Sequence, residues 1–294
     1  LVRFVNAVNA SDGAMKTLLV PTEEHDGMAA VLESARLVAL QFDSYVEGFA
    51  SKPGVGNFVT LDPVSSMTIQ LAQENGVEAD RKARALFESF MQSQGVARAD
   101  ESGAGAGASY AWFDQAPDGD EFVGSYGRVF DLIVLGRPGR DEHTPRMTPL
   151  EAALFESGRP VLIAPPAAPQ TIGGNVLIAW NGSTEQSRSV AFAMPLLRRA
   201  ARVTVLTVEG GMTPGPTGEQ AARHLQRNGI PAQAVHLPAG KRSAGEIILD
   251  QAGSLGCDLL IKGAYTQSRL RQMIFGGVTR HVLANAKLPV LMAH

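Results

Sequence analysis

The sequence predicts an α/β fold built from two repeated, doubly wound, five-stranded parallel-sheet domains, and three observations carry that expectation. Short apolar runs alternate with longer amphipathic stretches from residue 16 to the end, the pattern of parallel strands joined by crossover helices. Three segments then recur in the same order in both halves: KTLLVP (16–21) with NVLIAW (175–180), FDLIVLGRPG (130–139) with CDLLIKGAYT (257–266), and RPVLIAP (159–165) with LPVLMAH (288–294). So long a repeat exceeds solenoid periods and means two copies of one domain. Between the copies, APPAAPQTIGG (164–174) has the composition of a linker, which sets the expected domains at 15–167 and 173–294.

The elements follow in order. In the first half, strands are expected at 16–21, 44–50, 109–113, 130–135 and 160–164. Helices are expected at 28–42, where Val31, Leu32, Ala35, Val38, Ala39 and Phe42 share a face, and at 77–94, 118–129 and 149–156. Residues 51–62 read as a glycine- and proline-bearing loop, and the small-residue tract 101–109 as a loop or strand approach. In the second half, strands are expected at 175–180, 202–208, 230–237, 257–263 and 288–292, with helices at 184–200, 218–229 and 243–255. A last helix carries Leu270, Ile274, Val278 and Val282 at helical spacing.

Composition excludes several classes. A net charge of -3 provides no global basic field for nucleic acid or anionic lipid. No apolar run reaches the roughly 18 residues that span a bilayer. The single cysteine, Cys257, excludes an internal disulfide framework, fits a reducing and hence cytoplasmic location, and reads as a buried structural thiol. Met15 followed by KTLLVP resembles a natural start, which would make residues 1–14 an added or frayed leader. His25 with Glu24 and Asp26, and His143 with Asp141 and Glu142, fall at strand ends, but no three well-spaced metal ligands emerge and the metal expectation is none. Gly-x-Ser-x-Gly is absent, so no catalytic residue is assigned.

The most informative stretch is 257–294: a strand ending in Lys262-Gly263, a glycine-bearing loop, a helix, and a strand entered through Pro289. Such a loop–helix junction presents bare backbone N–H groups and the positive end of a helix dipole to an anion. Here the chain resembles the universal stress protein family in its tandem form, with an adenine-nucleotide α-hydrolase-like, Rossmann-like fold. The resemblance rests on the strand–turn–helix openings at 18–25 and 177–183 and on the closing segment. Nucleotide-binding members carry Gly-x-x-Gly, nine residues, then Gly-Ser or Gly-Thr. This sequence has Gly263, then Thr266 where the second glycine belongs, then Gly276-Gly277. The acidic position after the first strand corresponds to Glu23 in the first half and Asn181 in the second, and the adenine-contacting backbone position to Val208.

The resemblance implies a stress-response protein with ATP or AMP held in the second half, Mg accompanying ATP. The implied binding residues are Ala179, Trp180, Asn181, Val208, Gly263, Thr266, Gly276, Gly277, Val278 and Thr279. Thr266 resists positive φ and Gly277 lacks a hydroxyl, so weaker binding than a full motif allows is expected. Gly276→Arg should abolish nucleotide binding and leave the fold intact. The first half keeps Gly136 and Gly139 but has Met147-Thr148 at the second glycine pair and Pro138 and Pro149 nearby, which reads as a degenerate copy. At most slow ATP hydrolysis is expected. The two halves should pack as an internal pseudo-dimer, and the resemblance leaves room for a homodimer. The alternative reading is an interaction or scaffold protein of the same fold that binds no nucleotide.

Overall fold

Runs such as LLV (18–20), LIVL (132–135), VLIA (176–179) and LLI (259–261) are apolar on both faces, and strands of that kind are stable only with helices over both sides of the sheet. The structure, a computed structural model, describes residues 15–54, 63–99, 107–139, 143–264 and 277–294, with the backbone course alone for 63–75. In the first half it contains β1 (Thr17–Thr22), α1 (Met28–Phe42), β2 (Tyr45–Ala50), α2 (Pro63–Ser93), β3 (Ala97–Arg98), β4 (Ser109–Trp112), α3 (Glu121–Tyr126), β5 (Leu132–Leu135), α4 (Met147–Glu156) and β6 (Val161–Ile163). The second half holds β7 (Asn175–Ala179), α5 (Thr184–Leu197), β8 (Arg202–Val208), α6 (Gly218–Arg227), β9 (Ala232–Leu237), α7 (Ala244–Ser254), β10 (Leu259–Gly263), α8 (Gly277–Asn285) and β11 (Val290–Ala293).

The strands form one sheet in the order β3-β4-β2-β1-β5-β6-β11-β10-β7-β8-β9. Within each half the neighbours are parallel; where the halves meet, β6 and β11 pair antiparallel, with Leu162 opposite Leu291 and Val161 opposite Met292. The sequence predicts two five-stranded sheets, and the structure joins them edge to edge. It also adds the two-residue β3 at one rim and starts α2 at Pro63 rather than Val77. The predicted helix at 118–129 is an α-helix only over 121–126, continuing as a 3-10 turn to Val129.

One helical layer, made of α1, α2, α5 and α6, covers the sheet face bearing Leu18, Val46, Leu132, Val176, Val203 and Ile261. The other, made of α3, α4, α7 and α8, covers Leu19, Ile133, Leu177, Leu206 and Leu260. Each layer runs across the joint. In the first layer Gln41 Nε2 donates to Ile172 O at 2.9 Å, and the Arg199 guanidinium lies 4.8 Å above the Phe42 ring. In the second, the Arg137 guanidinium donates to the Ala286 carbonyl.

Recurring residues make recurring contacts. Asp131, in FDLIVL, accepts the backbone N–H groups of Lys16 and Thr17 at 2.8 and 3.0 Å; Asp258, in CDLLIK, accepts those of Gly174 and Asn175 at 3.0 and 2.8 Å. Each aspartate thus ties the start of its half's central strand to the next strand over. Cys257 is half-buried beside Asp258, and burial, reinforced by that carboxylate, pushes its thiol up to about 11. Among the described residues no helix is long and apolar enough to cross a membrane.

Candidate anion site between β10 and α8

In a doubly wound sheet, ligands bind at the carboxyl ends of the strands where the winding reverses. In the second half that switch point lies between β7, followed by α5 on one layer, and β10, followed by α8 on the other. Three of the expected residues stand there as strand ends: Ala179 closes β7, Val208 closes β8 and Gly263 closes β10. Asn181 follows β7 in a tight turn, its Oδ1 accepting the Ser183 N–H at 3.1 Å, while Gly182 takes φ +81. Ser183 then caps α5 by accepting the Gln186 N–H. Trp180 is placed differently: its indole N–H donates to Pro216 O at 2.8 Å, and its ring lines a cavity between α5 and α6. Thr266 and Gly276 lie outside the described residues, so the expectation for Gly276→Arg does as well. Gly277 opens α8, exposed; Val278 is half-buried and Thr279 buried.

Gly263 is required by close approach. Its N–H donates to Gln186 Oε1 at 2.6 Å, and a Cβ built on it would lie 2.5 Å from the backbone nitrogen of Gln186 and 2.8 Å from the carbonyl carbon of Glu185. No side chain can give way there, because the obstacles are backbone. Gly263→Ala is therefore expected to destabilise the protein by about 1–3 kcal/mol, read as a lower denaturant midpoint with an unchanged slope. An Ala variant as stable as the parent would mean that α5 can shift off the strand end.

The residue that sequence reasoning passed over is Lys262. It sits at the carboxyl end of β10 with 8% of its surface exposed. Its Nζ donates to Thr279 Oγ1 at 2.8 Å and to Gly263 O at 3.0 Å, so it reaches the first turn of α8. Burial lowers its pKa to about 8. No carboxylate pairs with it among the described residues, and the sequence from 265 to 276, YTQSRLRQMIFG, contains no aspartate or glutamate. Its like-signed neighbour is the positive end of the α8 dipole. Close by, the Gln186 amide nitrogen is buried without a partner among the described residues while its oxygen holds Gly263. A buried ammonium, an orphaned amide donor and a helix N-terminus together make a corner short of an anion. The sequence signal was available: a lysine in an apolar strand of a sheet covered on both faces has no solvated side to point to.

The same corner of the first half is closed. Arg146 immediately precedes α4; its Nε lies 2.9 Å from Glu23 Oε2, its Nη1 2.7 Å from Asp120 Oδ2, and its Nη2 donates to Ser51 Oγ at 3.2 Å. Thr148, in the first turn of α4, also donates to Asp120. Burial works against the guanidinium's charge, but Glu23 and Asp120 hold its pKa above the ordinary value. The chain's own carboxylates thus fill the place at the start of α4 that lacks an acid at α8. His25, just after β1, is packed against Gly136; burial lowers it to about 4 against the pull of Asp26, so it is neutral at pH 7. The His143 carbonyl accepts the Asp26 N–H; Asp141 and Glu142 lie outside the described residues. Among the described residues no group of three His, Cys, Asp or Glu is placed to hold a metal.

Residues 174–294, which carry this corner, match the model of the universal stress protein family. The second half is thus similar to the universal stress protein family. Nearly the whole chain shares its fold with solved structures of similar length. A universal stress protein from Archaeoglobus fulgidus superposes with a TM-score of 0.66 at 13% identity, over 95% of this chain and 98% of that one. A putative universal stress protein from Pseudomonas aeruginosa gives 0.55 at 15% identity, over 96% and 94%. A functionally unknown protein from the same species gives 0.54 at 16%, over 96% and 93%. No curated protein sequence matches the chain. At these identities the structural likeness concerns the universal stress protein fold and carries no ligand with it.

Proposed function

We propose that this chain is a universal stress protein, a nucleotide-responsive regulatory module whose second half binds ATP or AMP through its phosphates at the corner between β10 and α8. The observation that carries the reading is Lys262, a buried ammonium beside a helix N-terminus with no acid to neutralise it among the described residues. The residues fit such a ligand. Lys262, Gln186 and the first N–H groups of α8 would hold phosphate oxygens, Val208 and Ala179 would meet the base, and Asn181 retains a lone pair for a ribose hydroxyl. The nucleotide would supply the negative charge that the corner lacks, and Mg accompanying ATP would ride on the phosphates. The first half, closed by Arg146, Glu23 and Asp120, would act as a structural partner in an internal pair.

Titrating ATP and AMP calorimetrically into the protein, with and without Mg, tests this. The expected result is saturable binding near one site per chain that weakens as pH rises through about 8 and beyond, because only the charged Lys262 neutralises phosphate. Silence up to millimolar nucleotide would overturn the assignment and leave the fold as a nucleotide-free interaction module.

A further inference from the structure

Lys262 differs from Lys52 and Lys82 in what surrounds it. Lys52 stands between Asp80 and Asp118 at 2.9 and 2.7 Å, and Lys82 reaches Glu24 at 3.4 Å, so those ammonium groups have acids beside them. Lys262 faces hydrogen-bond donors instead. Its side chain and that of Gln186 converge on Gly263, Nζ on the carbonyl at 3.0 Å and Gln186 Oε1 on the N–H at 2.6 Å. Gln186 is 1% exposed, and its amide nitrogen has no acceptor among the described residues. Thr279 holds its hydroxyl 2.8 Å from Nζ in the first turn of α8, whose leading N–H groups carry the positive end of the helix dipole. Protonated, Lys262 adds its own donors to this set, against which the Gly263 carbonyl and the Thr279 oxygen are the acceptors it finds.

A covalent change at Nζ reverses that balance. We infer that Lys262 is a carbamate site: its amine takes up carbon dioxide, and the carbamate anion formed supplies the acceptors that the corner lacks. In the step the Nζ lone pair bonds to the carbon of carbon dioxide, one C=O π pair moves onto oxygen, and the proton shed by Nζ passes to water. The remaining N–H keeps the Gly263 carbonyl, while the Thr279 hydroxyl turns from acceptor to donor toward the new carboxylate. The Gln186 amide and the head of α8 then meet a negative charge rather than a positive one. Burial favours the step, because it has lowered the amine to about 8 and leaves more of it neutral near pH 7 than in a solvated lysine. The corner also selects the electrophile. With 8% of Lys262 exposed, a small uncharged molecule suits it, and an acetyl group would remove the positive charge without supplying the negative one. The modification rests on the corner alone; its effect on ATP or AMP, exclusion of phosphate by like charge, rests on the nucleotide reading above.

The test uses the full chain with isotope-labelled bicarbonate and no nucleotide. Carbamate is read by carbon NMR, then trapped with triethyloxonium and assigned by mass spectrometry of the peptide carrying Lys262, which separates it from the chain's α-amino group. A trapped ethyl carbamate on Lys262 is expected in the parent. Lys262→Arg keeps the positive charge without a nucleophilic amine and should lose the signal. Gln186→Glu can still accept the Gly263 N–H but sets a carboxylate beside the ammonium, and should lower the labelled fraction several-fold. Absence of label on Lys262 at saturating bicarbonate would overturn the inference, and so would labelling that Gln186→Glu leaves unchanged. AMP is then titrated at rising bicarbonate and constant ionic strength. Its affinity should fall in the parent and hold in Lys262→Arg; an affinity that ignores bicarbonate while label is present would overturn the antagonism. Label without AMP binding would leave the carbamate standing and overturn the nucleotide reading, and AMP binding without label would do the reverse.

Discussion

Replacing Lys262 by methionine is expected to weaken nucleotide binding and at the same time to stabilise the unliganded protein. The two effects have one cause. In the folded chain the Lys262 ammonium has exchanged water for Thr279 Oγ1 and Gly263 O, with no carboxylate to compensate among the described residues, and burial has lowered its pKa to about 8 from an ordinary 10.5. Between those values the unfolded chain holds a proton that the folded chain has released, so stability rises with pH across this window and is lowest below it. Methionine fills a similar volume without charge, and a gain on the order of 1–3 kcal/mol at neutral pH is expected, together with loss of the rise above pH 8. Affinity for ATP should fall roughly tenfold or more, the worth of one charge-assisted hydrogen bond in a dry site. Denaturant unfolding at several pH values and calorimetry on the same two proteins check both halves. If Lys262 were a strut between β10 and α8, methionine would lower stability and leave ATP affinity untouched.

The second large effect is expected at Arg146. Its guanidinium is shared by Glu23 and Asp120, whose side chains are 18% and 15% exposed, so Arg146→Met leaves two carboxylates close together and mostly shielded from water. Breaking a buried pair from one side costs about 3–5 kcal/mol, and the remaining exposure reduces this to about 2–3 kcal/mol here. Adding Glu23→Gln and Asp120→Asn to the same chain should restore most of the loss, since neutral amides need no cation. A single variant as stable as the parent in chemical denaturation would show that the cluster is solvated and that the first-half corner is not held shut by it.

Lys262 and Arg146 also mark the limit of what could be read from residues alone. The spans of α1 and β8 follow from periodicity that is entirely local, and the structure places them where the sequence does. The recurrence of FDLIVL as CDLLIK likewise announces β5 and β10, because doubly covered strands must be apolar throughout. The early start of α2 was not legible, since PVSSMTIQLAQENG has a sparse apolar pattern and carries Gly76. Nor was the closure of the first-half corner: Arg146 meets Glu23 across 123 residues of chain, and charge pairs at that separation leave no spacing to detect. At the second-half corner, strand-end and helix-start residues such as Gly263 and Gly277 were readable as loop chemistry. The ammonium between them was passed over as the end of a strand, although a lysine in a doubly covered strand has no solvated side to point to.

The antiparallel pairing of β6 with β11 has a consequence for aggregation. A lone half would display Val290, Leu291 and Met292 along a bare apolar rim, the kind of template on which further strands accrete. Fusing the halves satisfies each rim with the other, and the two rims that remain are blunt. One is the two-residue β3, carrying Arg98; the other is β9, where Gln233 and His236 stand out toward solvent. Within one chain, each half thereby carries the complement of the other's apolar rim.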